Sequence, residues 1–386
     1  DEFNTNPNAT TKVTPGMLST SMLLDMTKQS GSKYFVYNQF VSKHVAWAEL
    51  TEAYQYNLFD RSGFGVYTTL QNINKMVEYA STSGNSAYEA LGLFIKAYNL
   101  FYLSLEVGDI PYSEALKGEA DIVFPKYDSQ KEVMKQVLSD LEKSELLFSQ
   151  SKNFEGDPIH KGNVAKWRKT VNAFRLKVLL NLSKKESDSE LNIKTKFAQI
   201  VSAGNLMQTN SDNFQLVYSD KAGQIYPFNT VNSKHHVYAM ISGTVIDTLK
   251  AYNDYRVFYY ASPAKSQTDL GVAANDFSAY LGINPANVFS SLKTLYTQGK
   301  YCAYNPRYNK FAPGEPVVRI GYAEQCLNIA EAITRGWLSG NAEDYYNKGV
   351  KAAMEFVGSA TPDQTIYHKG RKITDTYIAD YLAGSR

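Results

Sequence analysis

Cysteine is scarce: Cys302 and Cys326 are the only two in 386 residues. That is too few for a disulfide scaffold, and neither stands in a metal-binding spacing; whether they pair is open from sequence. Histidine is almost as rare, at five residues, and only His235 and His236 adjoin. Adjacent side chains seldom chelate one ion without a third ligand, so no metal is expected. An excess of one charge is also lacking. Forty Lys and Arg stand against 38 Asp and Glu, a net +2, so no bulk field draws the chain to nucleic acid or an anionic membrane. The longest uncharged apolar run, 97–105, is stopped by Lys96 and Glu106; a spanning helix needs ~18–20 residues. The sequence contains no HExxH, GxSxG, GxxxxGK[ST] or strand-borne GxGxxG, the patterns that carry zinc, nucleophile, phosphate and dinucleotide chemistry. The chain is therefore expected to be non-catalytic and to need no cofactor. A glycosidase carboxylate pair follows no fixed motif, so a carbohydrate-active hydrolase stays as the alternative.

What the chain has in quantity is tyrosine: 29 Tyr and 19 Phe beside three Trp. A tyrosine ring can stack on a sugar while its hydroxyl bonds at the edge, and it can equally pack helices together. Hydrophobic residues at 44% and charged ones at 20% are enough for a folded core.

Residues 1–15 are polar and aperiodic, as in an extended tether. From there to 386 a single α-helical domain is expected, with helix pairs over about 35–203 and 320–383 and a loop-rich insertion over about 204–319. Stretches 35–50 and 64–80 read as a first pair. Tyr88, Leu91, Ile95, Tyr98, Tyr102 and Leu105 recur on one helical face, and Gly108 then stops the helix. Ser129 and Glu132 have the capping-box spacing ahead of a helix over 129–149. A further helix covers 163–184, with Trp167 in its apolar stripe and Lys166, Arg168, Lys169, Arg175 and Lys177 on a face read as solvated. Helices over 320–338 and 342–358 flank Gly340-Asn341, Asn341 being the cap, and another begins near 373. Each pair spans about 34 residues, the length of a tetratricopeptide unit. The fold class is thus all-α, a tetratricopeptide-like helix-pair scaffold whose long loop-rich insertions gather on one face. Trp47 and Trp167 are expected in the core; Trp337 is open.

Several segments carry a resemblance. Gly108–Leu116 reads GDIPYSEAL, followed by Pro125-Lys126-Tyr127-Asp128, by Gly156-Asp157-Pro158, and by Lys161-Gly162-Asn163-Val164-Ala165-Lys166-Trp167 with Asn172-Ala173-Phe174-Arg175-Leu176. Asn253-Asp254-Tyr255-Arg256 matches an NDPR turn with Tyr in place of Pro, and Gly321–Glu324 leads into Ala330-Glu331-Ala332. Together these resemble the SusD/RagB family over most of 1–358, and Asn4-Thr5-Asn6-Pro7 is similar to its mature N-termini. The resemblance implies a cell-surface lipoprotein of the Bacteroidetes outer membrane, lipidated on a cysteine ahead of this chain. It also implies a partner, a SusC-like TonB-dependent porin. The protein would capture oligosaccharide, or alternatively peptide, and hand it on for import.

A glycan site needs exposed rings with amide, carboxylate or guanidinium groups beside them. The 54–64 loop offers Tyr54, Tyr56 and Phe64 with Asn57 and Arg61. The uncharged 224–229 stretch adds Tyr226 and Phe228, and the 296–309 stretch adds Tyr304. These eight are the expected ligand-binding residues. An ordinary turn, with Phe59 and Phe64 stapling helices, is the competing reading of the first loop.

Overall fold

The computed structural model describes residues 13–231 and 235–384. The first twelve residues of the expected tether, Asn4–Pro7 among them, lie outside the described residues. The protein is mostly helical, and among the described residues the strands are four short ones. The described residues fall into two compact units, one within 1–28, 62–216 and 318–346, the other within 29–61, 217–317 and 347–386.

The first unit is the helix-pair scaffold. Helices Pro15–Thr27, Asn72–Ala80, Ala87–Val107, Gln130–Gln150, Val164–Asn181 and Ile193–Ala203 pack each on the next, and Tyr322–Thr334 returns onto Val164–Asn181. Their ends follow side-chain capping. Thr14, Ser129 and Asn163 accept from the amides of Met17, Glu132 and Lys166. Only half of the expected capping box forms, because the Glu132 carboxylate takes Lys135 Nζ at 3.0 Å. Ala87–Val107 has the length and composition of a membrane span; here its Leu91, Phe94, Ile95, Leu100 and Phe101 are buried in the protein core. Phe94 sets its ring against Trp167, Phe174 and Phe214, at centroid distances of 5.4, 6.1 and 5.7 Å. Trp337, open from sequence, is also buried, edge-on to Phe197, with Nε1 donating to Glu186 at 2.8 Å.

Some boundaries differ from the periodic reading. The stretch 35–50 is a helix only over Tyr34–Val41; Lys43 then takes φ 60° and Val45–Trp47 becomes a strand, antiparallel to Ala239–Ile241. The 64–80 stretch breaks into Val66–Leu70 and Asn72–Ala80. The basic face of Val164–Asn181 is more than a solvated surface. Arg168 pairs with Glu145 at 2.7 Å, Lys169 with Asp212 at 2.9 Å and Lys177 with Glu324 at 2.8 Å, tying that helix to its neighbours.

The second unit is built from shorter pieces around Ile246, Val257, Phe258, Tyr280, Cys302 and Val357. Tyr259 and Tyr260 lie in a helical turn, Val257–Tyr260. The Asn253–Arg256 turn is held by Asp254, 1% exposed, which accepts from the Arg256 backbone N–H and guanidinium. Cys302 and Cys326 are both buried thiols.

The 151–163 connection is bound by one carboxylate. Asp157 accepts from the amides of Ile159, His160 and Gly162 at 2.8, 3.1 and 2.9 Å, and from Trp167 Nε1 at 2.8 Å. Gly162 lies at φ 72°, where a Cβ would sit 1.7 Å from the Phe154 carbonyl oxygen, so no side chain fits. His160 Nε2 shares a hydrogen bond with the Thr170 hydroxyl at 2.8 Å, and burial pushes its pKa down to about 4. The unfolded chain takes up this proton near pH 6.5, before the folded one does. Stability is therefore whole above pH 6.5 and falls as pH drops toward 4, by up to about 3 kcal/mol. Urea unfolding across that window should show the loss, and His160→Gln should flatten it; an equally steep fall in the variant refutes the assignment.

Candidate functional site

In the second unit the 54–61 loop is anchored from beneath. Gln55, 2% exposed, accepts the Trp47 amide at 2.9 Å and donates to the Pro285 carbonyl at 3.2 Å. The Tyr56 hydroxyl donates to the Asn287 carbonyl at 2.8 Å. Lys43 Nζ reaches back to the Asn57 side-chain oxygen at 2.7 Å, and Asn57 makes the left-handed turn at φ 62°. Above these anchors Tyr54 is half-buried and stacks on Tyr37 at 4.6 Å, with Phe59 edge-on to it at 5.8 Å. Phe59 is 56% exposed, and Asp60 and Arg61 are exposed beside it without an ion-pair partner among the described residues. The loop thus presents a ring pair flanked by a carboxylate and a guanidinium, on a base that does not have to be ordered.

Tyr226 and Phe228 are placed differently from expectation. They are 4% and 1% exposed, so neither offers a face on which a sugar could stack. Phe228 stacks on Phe35 at 4.6 Å, and Tyr304 and Tyr226 meet Phe228 and Phe35 edge-on at 5.2 and 5.7 Å. Burial pushes the Tyr226 and Tyr304 hydroxyls well up from the usual phenol range. The half-buried Tyr304 donates to Gln39 Oε1. Beneath this cluster Arg307 is fully buried, ion-paired to Glu315 and lying over the Tyr308 ring. An uncharged aromatic loop reads the same in sequence whether it is covered or bare, and the Phe35 ring that covers this one belongs to a remote segment.

Phe64 belongs to the first unit, 41% exposed, beside a groove of about 840 Å³ that sequence reasoning did not find. Its ring lies near-parallel to Tyr67 at 6.2 Å and edge-on to Tyr127 at 6.2 Å. The far wall is the 118–127 loop, closed at its base by the GDIPYSEAL segment. Asp128 accepts from the Tyr112 and Ser113 amides at 3.1 and 2.7 Å and from the Ser113 hydroxyl at 2.9 Å. Burial alone would raise its pKa; those donors outweigh it and hold the carboxyl below its usual range. Tyr112 is fully buried, its hydroxyl donating to Asp140 at 2.8 Å. The signature residues hold the loop in place, and the groove lies where the loop folds back.

Among the described residues no three His, Cys, Asp or Glu side chains come together to hold a metal. Because the 226–228 rings are packed inside, Tyr226→Ala and Phe228→Ala should each cost about 3–5 kcal/mol. Denaturant unfolding checks this, and unchanged curves would return both rings to the ligand face.

Comparison with known proteins bears on the whole chain. Residues 7–383 match the SusD-like family described as starch-binding and associating with the outer membrane. A SusD homologue from Bacteroides fragilis NCTC 9343 is 51% identical with a TM-score of 0.93, over 96% of this chain and 79% of that one. An outer-membrane protein of Bacteroides vulgatus ATCC 8482, with a provisional nutrient-binding description, is 34% identical with a TM-score of 0.86, over 96% and 79%. A second Bacteroides fragilis NCTC 9343 SusD homologue is 32% identical with a TM-score of 0.84, over 96% and 78%. Among curated proteins nothing matches. The match over nearly the full length shows that the chain belongs to the SusD-like family, an outer-membrane-associated family of nutrient-binding proteins.

Proposed function

We propose that this protein is a non-catalytic, cell-surface glycan receptor of the outer membrane that passes oligosaccharide to a SusC-like TonB-dependent porin. In this reading a lipid anchor ahead of the chain holds it at the membrane. The observation that carries the reading is the 54–61 loop: Tyr54 and Phe59 as rings, Asn57, Asp60 and Arg61 as hydrogen-bonding groups, all on a base already tied to Pro285 and Asn287. The starch-binding description of the family supports it. Ring stacking adds about 0.5–1.5 kcal/mol per ring and a hydrogen bond about 1 kcal/mol. Such a loop gives micromolar-to-millimolar capture, suited to a receptor that releases its cargo.

Phe59→Ala should weaken binding of malto-oligosaccharides about 3- to 10-fold without moving the melting temperature. Titration calorimetry with parallel thermal melts checks it. Release of reducing ends by the purified protein would favour a hydrolase, and binding of peptides in place of glycans would reassign the cargo.

A further inference from the structure

We infer that the groove of the first unit, between the 64–75 segment and the 118–127 loop, is a second saccharide site that takes an uncharged oligosaccharide. The inference rests on the glycan reading above and extends it to a surface with its own rings.

Its volume, about 840 Å³, falls within the range of about 300–1,000 Å³ typical of small-ligand sites. The rings around it are bare. Phe64 is 41% exposed, Tyr127 61% and Phe124 92%. A cluster of aromatics this exposed usually marks a contact surface. Phe64 and Tyr67 stack within 16° of parallel, and the exposed Phe64 ring offers a face for pyranose C–H groups.

Charge decides the class of ligand. The ionisable groups lining the groove include Lys75 and Glu119, and these pair across it at 3.2 Å. Lys75 is also held by Glu78 at 2.9 Å, and these two hydrogen-bonded carboxylates raise its pKa. Its ammonium is thus satisfied from two sides, and among the described residues no other Lys or Arg lines the groove. The Gln71 side chain, by contrast, is exposed and makes no hydrogen bond to the described residues, leaving an amide for sugar hydroxyls. The walls are set in advance. Tyr67 donates to the Pro111 carbonyl at 2.5 Å and Asn74 to the Leu116 carbonyl at 2.8 Å, so a ligand has little ordering to do.

The test is calorimetric titration of the full chain with neutral malto-, chito- and xylo-oligosaccharides, and with an oligogalacturonate as the anionic probe. The expected result is two equivalents of one neutral series. Phe64→Ala or Tyr127→Ala should weaken one of them about 3- to 10-fold, and Phe59→Ala the other. Phe124→Ala, at a ring almost wholly in solvent, guards against a folding artefact, and it too should weaken the groove equivalent. Neutral binding that only Phe59→Ala affects overturns the groove and leaves the receptor reading standing. Oligogalacturonate binding that the groove variants abolish overturns the charge argument. An unaltered protein that binds no neutral probe overturns both.

Discussion

One buried carboxylate organises the scaffold. Asp157 collects three backbone amides and the Trp167 indole, and Trp167 touches Phe94, Phe148, Phe154 and Phe214. A loop that would otherwise bring unsatisfied amides to the core is thereby wired to the ring at its centre. Four donors around one carboxylate in a low-dielectric interior are strong only because all are made; an amide left without its partner there would be costly. Gly162 allows the loop to close that tightly, since its own carbonyl accepts the Phe154 amide at 3.2 Å while no Cβ intervenes.

The same economy explains what the family signature does. Gly108–Leu116 and Asp128 clasp the base of one loop, Asp157–Trp167 another, and Asp254 with Arg256 the turn of the second unit. None of these residues needs to touch a ligand to be indispensable. The recognisable motifs are devices for joining helices, whereas the exposed rings at Phe59, Phe124 and Tyr127 sit between or beside them. A sequence can thus proclaim its fold while saying little about its cargo.

Legibility followed the range of the forces involved. The long helices were readable because an apolar face and a cap are local properties: Ser129 and Asn163 cap the helices that begin beside them, and Trp47 and Trp167 are buried. The strand at Val45–Trp47 was not, because its reason for being extended is the Ala239–Ile241 partner almost two hundred residues away. Exposure was the hardest quantity. Tyr54 and Tyr226 sit in equally polar, aromatic loops, yet one keeps an edge in solvent and the other is enclosed by Phe35 and Tyr218. The groove escaped notice for a related reason. Phe64 and Tyr127 are each ordinary in sequence, and only the clasp at Asp128 brings the second ring to the first.

Cys302 has a consequence of its own. Its side chain is fully buried, its sulfur accepts the Leu281 amide at 3.2 Å, and burial pushes the thiol up to about 12. Thiolate is the species that alkylating and oxidising reagents consume, so the folded protein holds this sulfur chemically silent. Any reagent that reaches it must wait for the surrounding core to open. The rate of its modification is therefore a clock for the breathing of the second unit, built into the chain without a label.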